Sequence, residues 1–179
     1  MTDRAAAPAT VRELDADAYT AAIPGLAALL VDAVDGGAGV SFLSGVTTDE
    51  AAAWWTERVD LVRRGVISAF VAFVGDEVVG STLLIRSTYP NSPHRAEIGK
   101  VLVLRTARRR GIARALMTAA EGRARADGRW LLLLDTVTGS AAENLYRTTG
   151  WQELGVMPNH AFGTDGTPSA TTFFWKDLR

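Results

Sequence analysis

The stretch RTARRRGIARALM, residues 105–117, gathers five arginines: Arg105, Arg108, Arg109, Arg110 and Arg114. The whole chain of 179 residues carries a formal net charge of −1, so the cluster is a local feature. The pattern predicts a helix over Arg109–Ala126, which puts two of the arginines in its first turn. A helix N-terminus already holds about half a positive charge and favours acids, and each cation placed there costs roughly 0.3–1 kcal/mol before screening. The arrangement makes sense when an anion binds. Free N–H groups at the helix start point at the anion, Gly111 lets the backbone approach closely, and the arginines add charge-assisted bonds to phosphate. A solvated basic helix start is the alternative. The glycine patterns of dinucleotide and phosphate-loop proteins, G-x-G-x-x-G and G-x-x-x-x-G-K, are absent.

Composition removes other chemistries. There is no cysteine, hence no disulfide, thiolate metal site or cysteine nucleophile. The two histidines, His94 and His160, lie far apart in sequence and give a zinc site little to work with. A near-neutral charge argues against a nucleic-acid partner. No apolar run is expected to reach the roughly 18 residues of a membrane span. Met1–Thr10 is rich in Ala, Thr and Pro, lacks the layout of a signal peptide, and reads as a disordered lead. The expectation is one cytoplasmic domain over residues 11–179, with monomer and homodimer both open.

These residues need elements to position them. Residues 17–34 suit a helix with a break or kink at Pro24-Gly25. Thr47 with Glu50 is a capping-box signature, predicting a helix over Ala51–Arg64 that ends at Gly65. Val66–Val74 and Val78–Ser87 read as a hairpin about Gly75-Asp76-Glu77. Tyr89–Pro93 reads as a loop, Ala96–Leu104 as a central strand, and Trp130–Thr136 as a short buried strand after the arginine-led helix. Ser140–Thr149 reads as a short helix, and Leu154–Val156 and Thr171–Lys176 as closing strands with a loop over 157–170 between them. The order α-α-β-β-β-α-β-α-β-β describes an α/β domain with a mixed sheet covered by helices.

Arg108-x-x-Gly111-x-Ala113, entering a helix from a strand that ends Val101-Leu102-Val103, resembles the acyl-CoA motif of the GNAT N-acetyltransferases. LYRTTGW, Leu145–Trp151, resembles that family's second signature. HRAEIGKVLVL, LLLLDTVTGSAAENLY and ATTFFWKDL are similar to the tabtoxin-resistance branch, so the likeness covers about the C-terminal half. The first 90 residues match in element order only.

The resemblance implies a GNAT fold with acetyl-CoA in a cleft where two neighbouring strands splay apart. The cofactor-binding residues there would be Arg108, Arg109, Arg110, Gly111, Ile112, Ala113 and Arg114, with backbone N–H groups from Arg109 to Arg114 holding the pyrophosphate. The backbone at Leu102 and Val103 would hold the pantetheine arm; their side chains read equally as plain core. Transfer to an amine needs a base, because an alkylamine with a pKa near ~10 arrives protonated; it also needs donors for the developing oxyanion and an acid for the leaving thiolate. Glu97 is the expected base, a carboxylate in an apolar strand whose pKa should be raised; the alternative is a strand-end glutamate pairing Arg95 or Lys100. Tyr146 is the expected acid, with a half-buried core tyrosine as its alternative. Asp135, closing the run LLLLD, would act with the tyrosine, bind the amine or replace Glu97 as base; a turn-capping aspartate is the alternative. Many GNATs carry an asparagine where this chain has Gly139. Ser140 is expected to cap the helix and touch the cofactor, with capping alone as its alternative; Asn144 lies on the same helix, its reach to the cofactor left open. His160 falls in the late loop where substrate could be gripped, or on plain surface. Of Trp54 and Trp55, one is expected to face the substrate side. The function implied is acetyl transfer to a small primary amine, such as an amino-acid-like antimetabolite. Three rivals stand beside it: an acyl-CoA sensor, an RNA-binding domain built on Arg105–Arg114, and a protein or peptide acetyltransferase.

Overall fold

A computed structural model describes residues 8–179. Most of the lead expected over Met1–Thr10 lies outside the described residues. Thr10 itself already belongs to β1 (Thr10–Leu14), an edge strand that the sequence reading missed. The chain continues as α1 (Ala16–Asp35), α2 (Thr48–Thr56), α3 (Val59–Arg63), β2 (Ile67–Val74), β3 (Glu77–Arg86) and β4 (Arg95–Val103). After a single 3₁₀ turn at Arg105–Ala107 come α4 (Ile112–Ala126), β5 (Leu131–Val137), α5 (Ala141–Thr148), β6 (Gln152–Phe162) and β7 (Pro168–Asp177). The strands form one mixed sheet in the order β1-β2-β3-β4-β5-β7-β6. Neighbours are antiparallel except β4 and β5, which run parallel. One face carries a core under α1, α2 and α3, and the other a core under α4 and α5.

Pro24 does not break α1, which runs unbroken through it from an Asp15 cap. Gly25 serves close approach instead: a Cβ there would meet Val78 Cγ2 at 2.7 Å, so the missing side chain lets α1 settle onto β3. α1 is also long and apolar enough, by length and composition, to match a membrane span. This corrects the expectation that no run comes close. Its buried residues, among them Tyr19, Leu26, Leu29 and Leu30, lie in the core beneath the sheet.

The Thr47–Glu50 capping box is present, with Glu50 N donating to Thr47 Oγ1 at 3.2 Å and Thr47 N to Glu50 Oε2 at 2.8 Å. The helix it starts is interrupted at Glu57-Arg58, where one continuous helix was expected. There Arg58 folds back so that its Nη1 donates to the Trp54 carbonyl. The loop expected over 157–170 is mostly strand. Pro158, Asn159 (φ 54°) and Gly155 lie where the β6–β7 register slips, and an exposed edge strand tolerates such residues at bulges. The true turn is tighter, with Thr167 N donating to Asp165 Oδ1 at 3.0 Å.

Candidate active site

Strands β4 and β5 pair over only three positions, Arg95↔Leu131, Ala96↔Leu132 and Glu97↔Leu133. Beyond Glu97 they part, while β4 runs on to Val103 and β5 to Val137. A bulge in β4 helps turn it aside. Its register against β3 slips between Ser81 and Leu83, and Lys100 takes a left-handed φ of 51°. The buried hydroxyls of Ser81 and Thr82 donate to the carbonyls of Lys100 (3.0 Å) and Gly99 (3.3 Å). That explains two polar residues in the middle of an otherwise apolar strand: a buried carbonyl left without a donor would cost on the order of 1–3 kcal/mol.

The arginine segment closes the far end of this gap. Arg105 does not serve it. Its backbone N–H and Nε bond Asp32 at 2.9 and 2.8 Å, tying the turn to α1. α4 starts at Ile112 rather than Arg109, so Arg109 and Arg110 stand in the loop before the helix and only Arg114 occupies its first turn. This corrects the expected boundary. Arg109 (φ 66°) and Gly111 (φ 78°) both take left-handed backbone, a shape that turns successive N–H groups to one side. Gly111 caps α4 without a side-chain bond, and the first turn holds no acid. The helix ladder begins with Ala115 N donating to the Gly111 carbonyl at 3.0 Å, leaving the N–H groups of Ile112, Ala113 and Arg114 without intrahelical partners. Arg108, Arg109, Arg110 and Arg114 are exposed, and among the described residues none forms an ion pair. Gly80 lets this helix end lie close to the sheet, since a Cβ there would meet Ile112 Cγ2 and Leu116 Cδ1, each at 3.1 Å. Leu102 is buried and Val103 half-buried; the Val103 carbonyl accepts from Arg108 Nε at 3.3 Å.

Glu97 stands at the fork. Glu97 is exposed as a residue, yet partial desolvation of its carboxyl, and then the charge of Asp135, push it above the ordinary range, with Lys100 and Arg95 opposing. Asp135 is exposed and pairs across the sheet with Phe173 of β7. Tyr146 is buried on the α5 side between the rings of Trp151 and Phe174, at 6.1 and 5.8 Å between centroids. Burial, and then Asp135, raise its hydroxyl pKa, so it stays protonated. Among the described residues the hydroxyl has no hydrogen-bond partner, and no fully buried side-chain oxygen goes unbonded; its oxygen therefore reaches solvent. Ser140 does cap α5, accepting from Glu143 N at 3.3 Å, and its hydroxyl also meets Thr136 Oγ1 at 3.1 Å. Asn144 is exposed on that helix. His160 lies in β6 rather than in a loop, with Nδ1 3.1 Å from Thr171 Oγ1 and its ring edge-on to Phe173.

Around the fork, the sequence reading named both tryptophans without choosing between them, gave Lys100 no role of its own, and missed Ser41. Trp55 is wholly buried, its indole N–H bonded to the Leu26 carbonyl at 3.0 Å, so Trp54 is the half-exposed member of the pair. Lys100 Nζ lies 4.6 Å from the Trp54 ring centroid and donates to Ser41 Oγ at 3.3 Å. A charged residue in the apolar run IGKVLVL was the available signal.

The described features, a parallel strand pair that parts beside a glycine-led helix start rich in free N–H groups, suit an acyl-CoA-using enzyme. The chain belongs to the acetyltransferase (GNAT) family, whose family model matches residues 39–151. Solved structures agree on the fold. An N-acetyltransferase from Staphylococcus aureus Mu50 is 21% identical with a TM-score of 0.79, the alignment covering 97% of this chain and 100% of that one. A ribosomal-protein-alanine N-acetyltransferase from Brucella melitensis is 24% identical, with a TM-score of 0.74 over 94% and 99% of the two chains. A Salmonella typhimurium protein assigned as an acetyltransferase, solved with its cofactor acetyl-CoA, is 20% identical with a TM-score of 0.74 over 96% and 94%. The protein is thus a GNAT N-acetyltransferase, of a family that uses acetyl-CoA.

Proposed function

We propose that this enzyme acetylates the primary amine of a small molecule by direct attack on acetyl-CoA, with Glu97 as base and Tyr146 as acid. The observation that carries this reading is the fork itself: two carboxylates stand where β4 and β5 part, and the Tyr146 hydroxyl reaches solvent from the α5 side. The donor set fits the cosubstrate. Unbonded N–H groups and unpaired arginines from Arg108 to Arg114 suit a pyrophosphate, with the backbone at Leu102 and Val103 taking the pantetheine arm and Ser140 and Asn144 lying beside it. Acetyl-CoA supplies an acetyl group already activated as a thioester. Glu97, its pKa raised first by desolvation and then by Asp135, takes the proton from the acceptor nitrogen. Asp135, whose charge adds to desolvation in raising that pKa, helps hold the ammonium form of the amine as it arrives. Tyr146, kept protonated, gives its Oη proton to the departing sulfur as the C–S bond breaks.

Likeness of HRAEIGKVLVL, LLLLDTVTGSAAENLY and ATTFFWKDL to the tabtoxin-resistance branch supports an amino-acid-like antimetabolite as acceptor and a protective role. We further read residues 11–179 as one cytoplasmic domain, monomeric or homodimeric, without a membrane or nucleic-acid partner; burial of one face of α1 in the core supports this. The test is calorimetric titration with acetyl-CoA followed by thiol release across an amine panel that includes tabtoxinine-β-lactam, simple amino acids and a peptide with N-terminal alanine. Binding with release from a small amine is the expected result. Binding without release from any amine would point to a sensor, and release from the peptide alone to a protein acetyltransferase.

A further inference from the structure

Two cations share one indole at the fork. Arg58 Cζ lies 3.2 Å from the Trp54 ring centroid and Lys100 Nζ 4.6 Å from it. Such cation–π contacts stabilise each charge by roughly 0.5–2 kcal/mol, but they also bring two like charges into one half-buried place. Burial disfavours the Lys100 ammonium, and the charge of Arg58 then acts against it as well. Neither cation has a buried carboxylate partner. Lys100 forms no ion pair among the described residues, and the one carboxylate bonded to Arg58 is the largely exposed Glu57, 3.5 Å away. The remaining contact of Lys100 is the hydroxyl of Ser41, a residue held at a left-handed φ of 74° in the loop between α1 and α2. That loop is fixed from two sides, by Phe42 edge-on to Trp54 and by Ser44 N donating to the Thr164 carbonyl at 2.8 Å. A protein with no anion to bind would gain by separating these charges.

Carboxylates stand nearby. Both Glu97 and Asp135 act electrostatically on Lys100 without bonding it. The acceptor side of the fork therefore carries positive charge on Trp54 and negative charge at the strand parting. A ligand complementary to it has a cationic and an anionic end. We propose that Lys100 and Arg58, seated on the Trp54 indole beside the Ser41 hydroxyl, bind the carboxylate of an amino-acid acceptor whose amine faces Glu97 and Asp135. The phosphate-binding end of the cleft lies elsewhere, at the start of α4. This inference rests on the small-amine acetyltransferase reading given above.

The experiment measures thiol release with saturating acetyl-CoA for a series of 2-amino acids, each beside its primary carboxamide. The enzyme is expected to favour acids over amides in kcat/KM by about tenfold or more, the scale of one charge-assisted bond. Lys100→Met and Arg58→Met should bring that ratio close to one by raising KM for the acids, whereas Lys100→Arg, which keeps the charge, should retain the preference. Thermal melting of each variant separates loss of folding from loss of selectivity. Equal use of acids and amides by the parent enzyme overturns the proposal, as does a preference that survives in Lys100→Met. A fall in acetyl-CoA affinity in step with the acid KM would give the cations to the cosubstrate and overturn it as well. Absence of release from every amine removes the acetyltransferase reading itself, and this inference with it.

Discussion

Glu97 is the last β4 residue that pairs with β5, and Asp135 stands two residues beyond its partner Leu133. The register thus sets both carboxylates at the start of the gap, near enough for the charge of Asp135 to act on Glu97. The fold raises the Glu97 pKa above its ordinary 4.5, first through desolvation and then through Asp135. A carboxyl raised in this way favours the folded state while it is protonated, and that contribution is lost as pH rises through the folded pKa. For catalysis the base form accumulates over the same window. The acid limb of kcat/KM should therefore sit above pH 4.5, and Glu97→Gln should lower kcat by about 10²–10⁴. Asp135→Asn should shift the limb toward lower pH. Loss of the limb altogether in Asp135→Asn would make Asp135 the base.

Tyr146→Phe removes a proton donor and little volume. The expected result is a fall in kcat of about 10², with acetyl-CoA affinity close to that of the parent by calorimetry. An unchanged rate would remove Tyr146 as the acid.

The arginines divide into two groups. Arg110→Glu should weaken acetyl-CoA binding, and raising the salt concentration should narrow its difference from the parent. Arg105→Ala should leave that affinity alone and lower the melting temperature slightly, since Arg105 bonds Asp32 of α1. Equal losses of affinity in both variants would contradict the division.

A buried ion pair pins the LYRTTGW segment. Lys176 Nζ donates to both Glu121 oxygens at 2.8 Å and to the Thr149 carbonyl at 2.7 Å, while the Trp151 indole donates to Glu121 Oε1 at 3.2 Å. Lys176→Met leaves Glu121 buried without its cation and should cost about 3–5 kcal/mol in denaturant unfolding. The double variant Lys176→Met, Glu121→Met should recover most of that loss.

The parts of the fold that sequence shows best are those with a strong local code. The Thr47–Glu50 box announces α2, and the apolar run at Leu131–Leu134 announces a buried strand. What sequence hides depends on distant partners. β1 is legible only through its pairing with β2, because its own residues are largely exposed. Gly25 next to Pro24 reads as a break until Val78 is seen beneath it. Among the site residues, Glu97 and Asp135 stand out as carboxylates ending or interrupting apolar runs. Their closeness depends on the β4–β5 register, and the grouping of Lys100, Trp54 and Ser41 spans three separate segments that no spacing rule connects.

The short parallel ladder between β4 and β5 makes occupancy and stability two readings of one free energy. Past Glu97 the inner edges of these strands face each other unpaired, and an arm that carries its own amide groups would extend the ladder between them. A cosubstrate arm seated there would behave as a removable stave of the sheet. Its concentration should raise the melting temperature through mass action, and amide exchange at Leu102 and Val103 should slow when it is bound. In a cell rich in acetyl-CoA, the metabolic state would be written directly into how firmly the two halves of this sheet hold together.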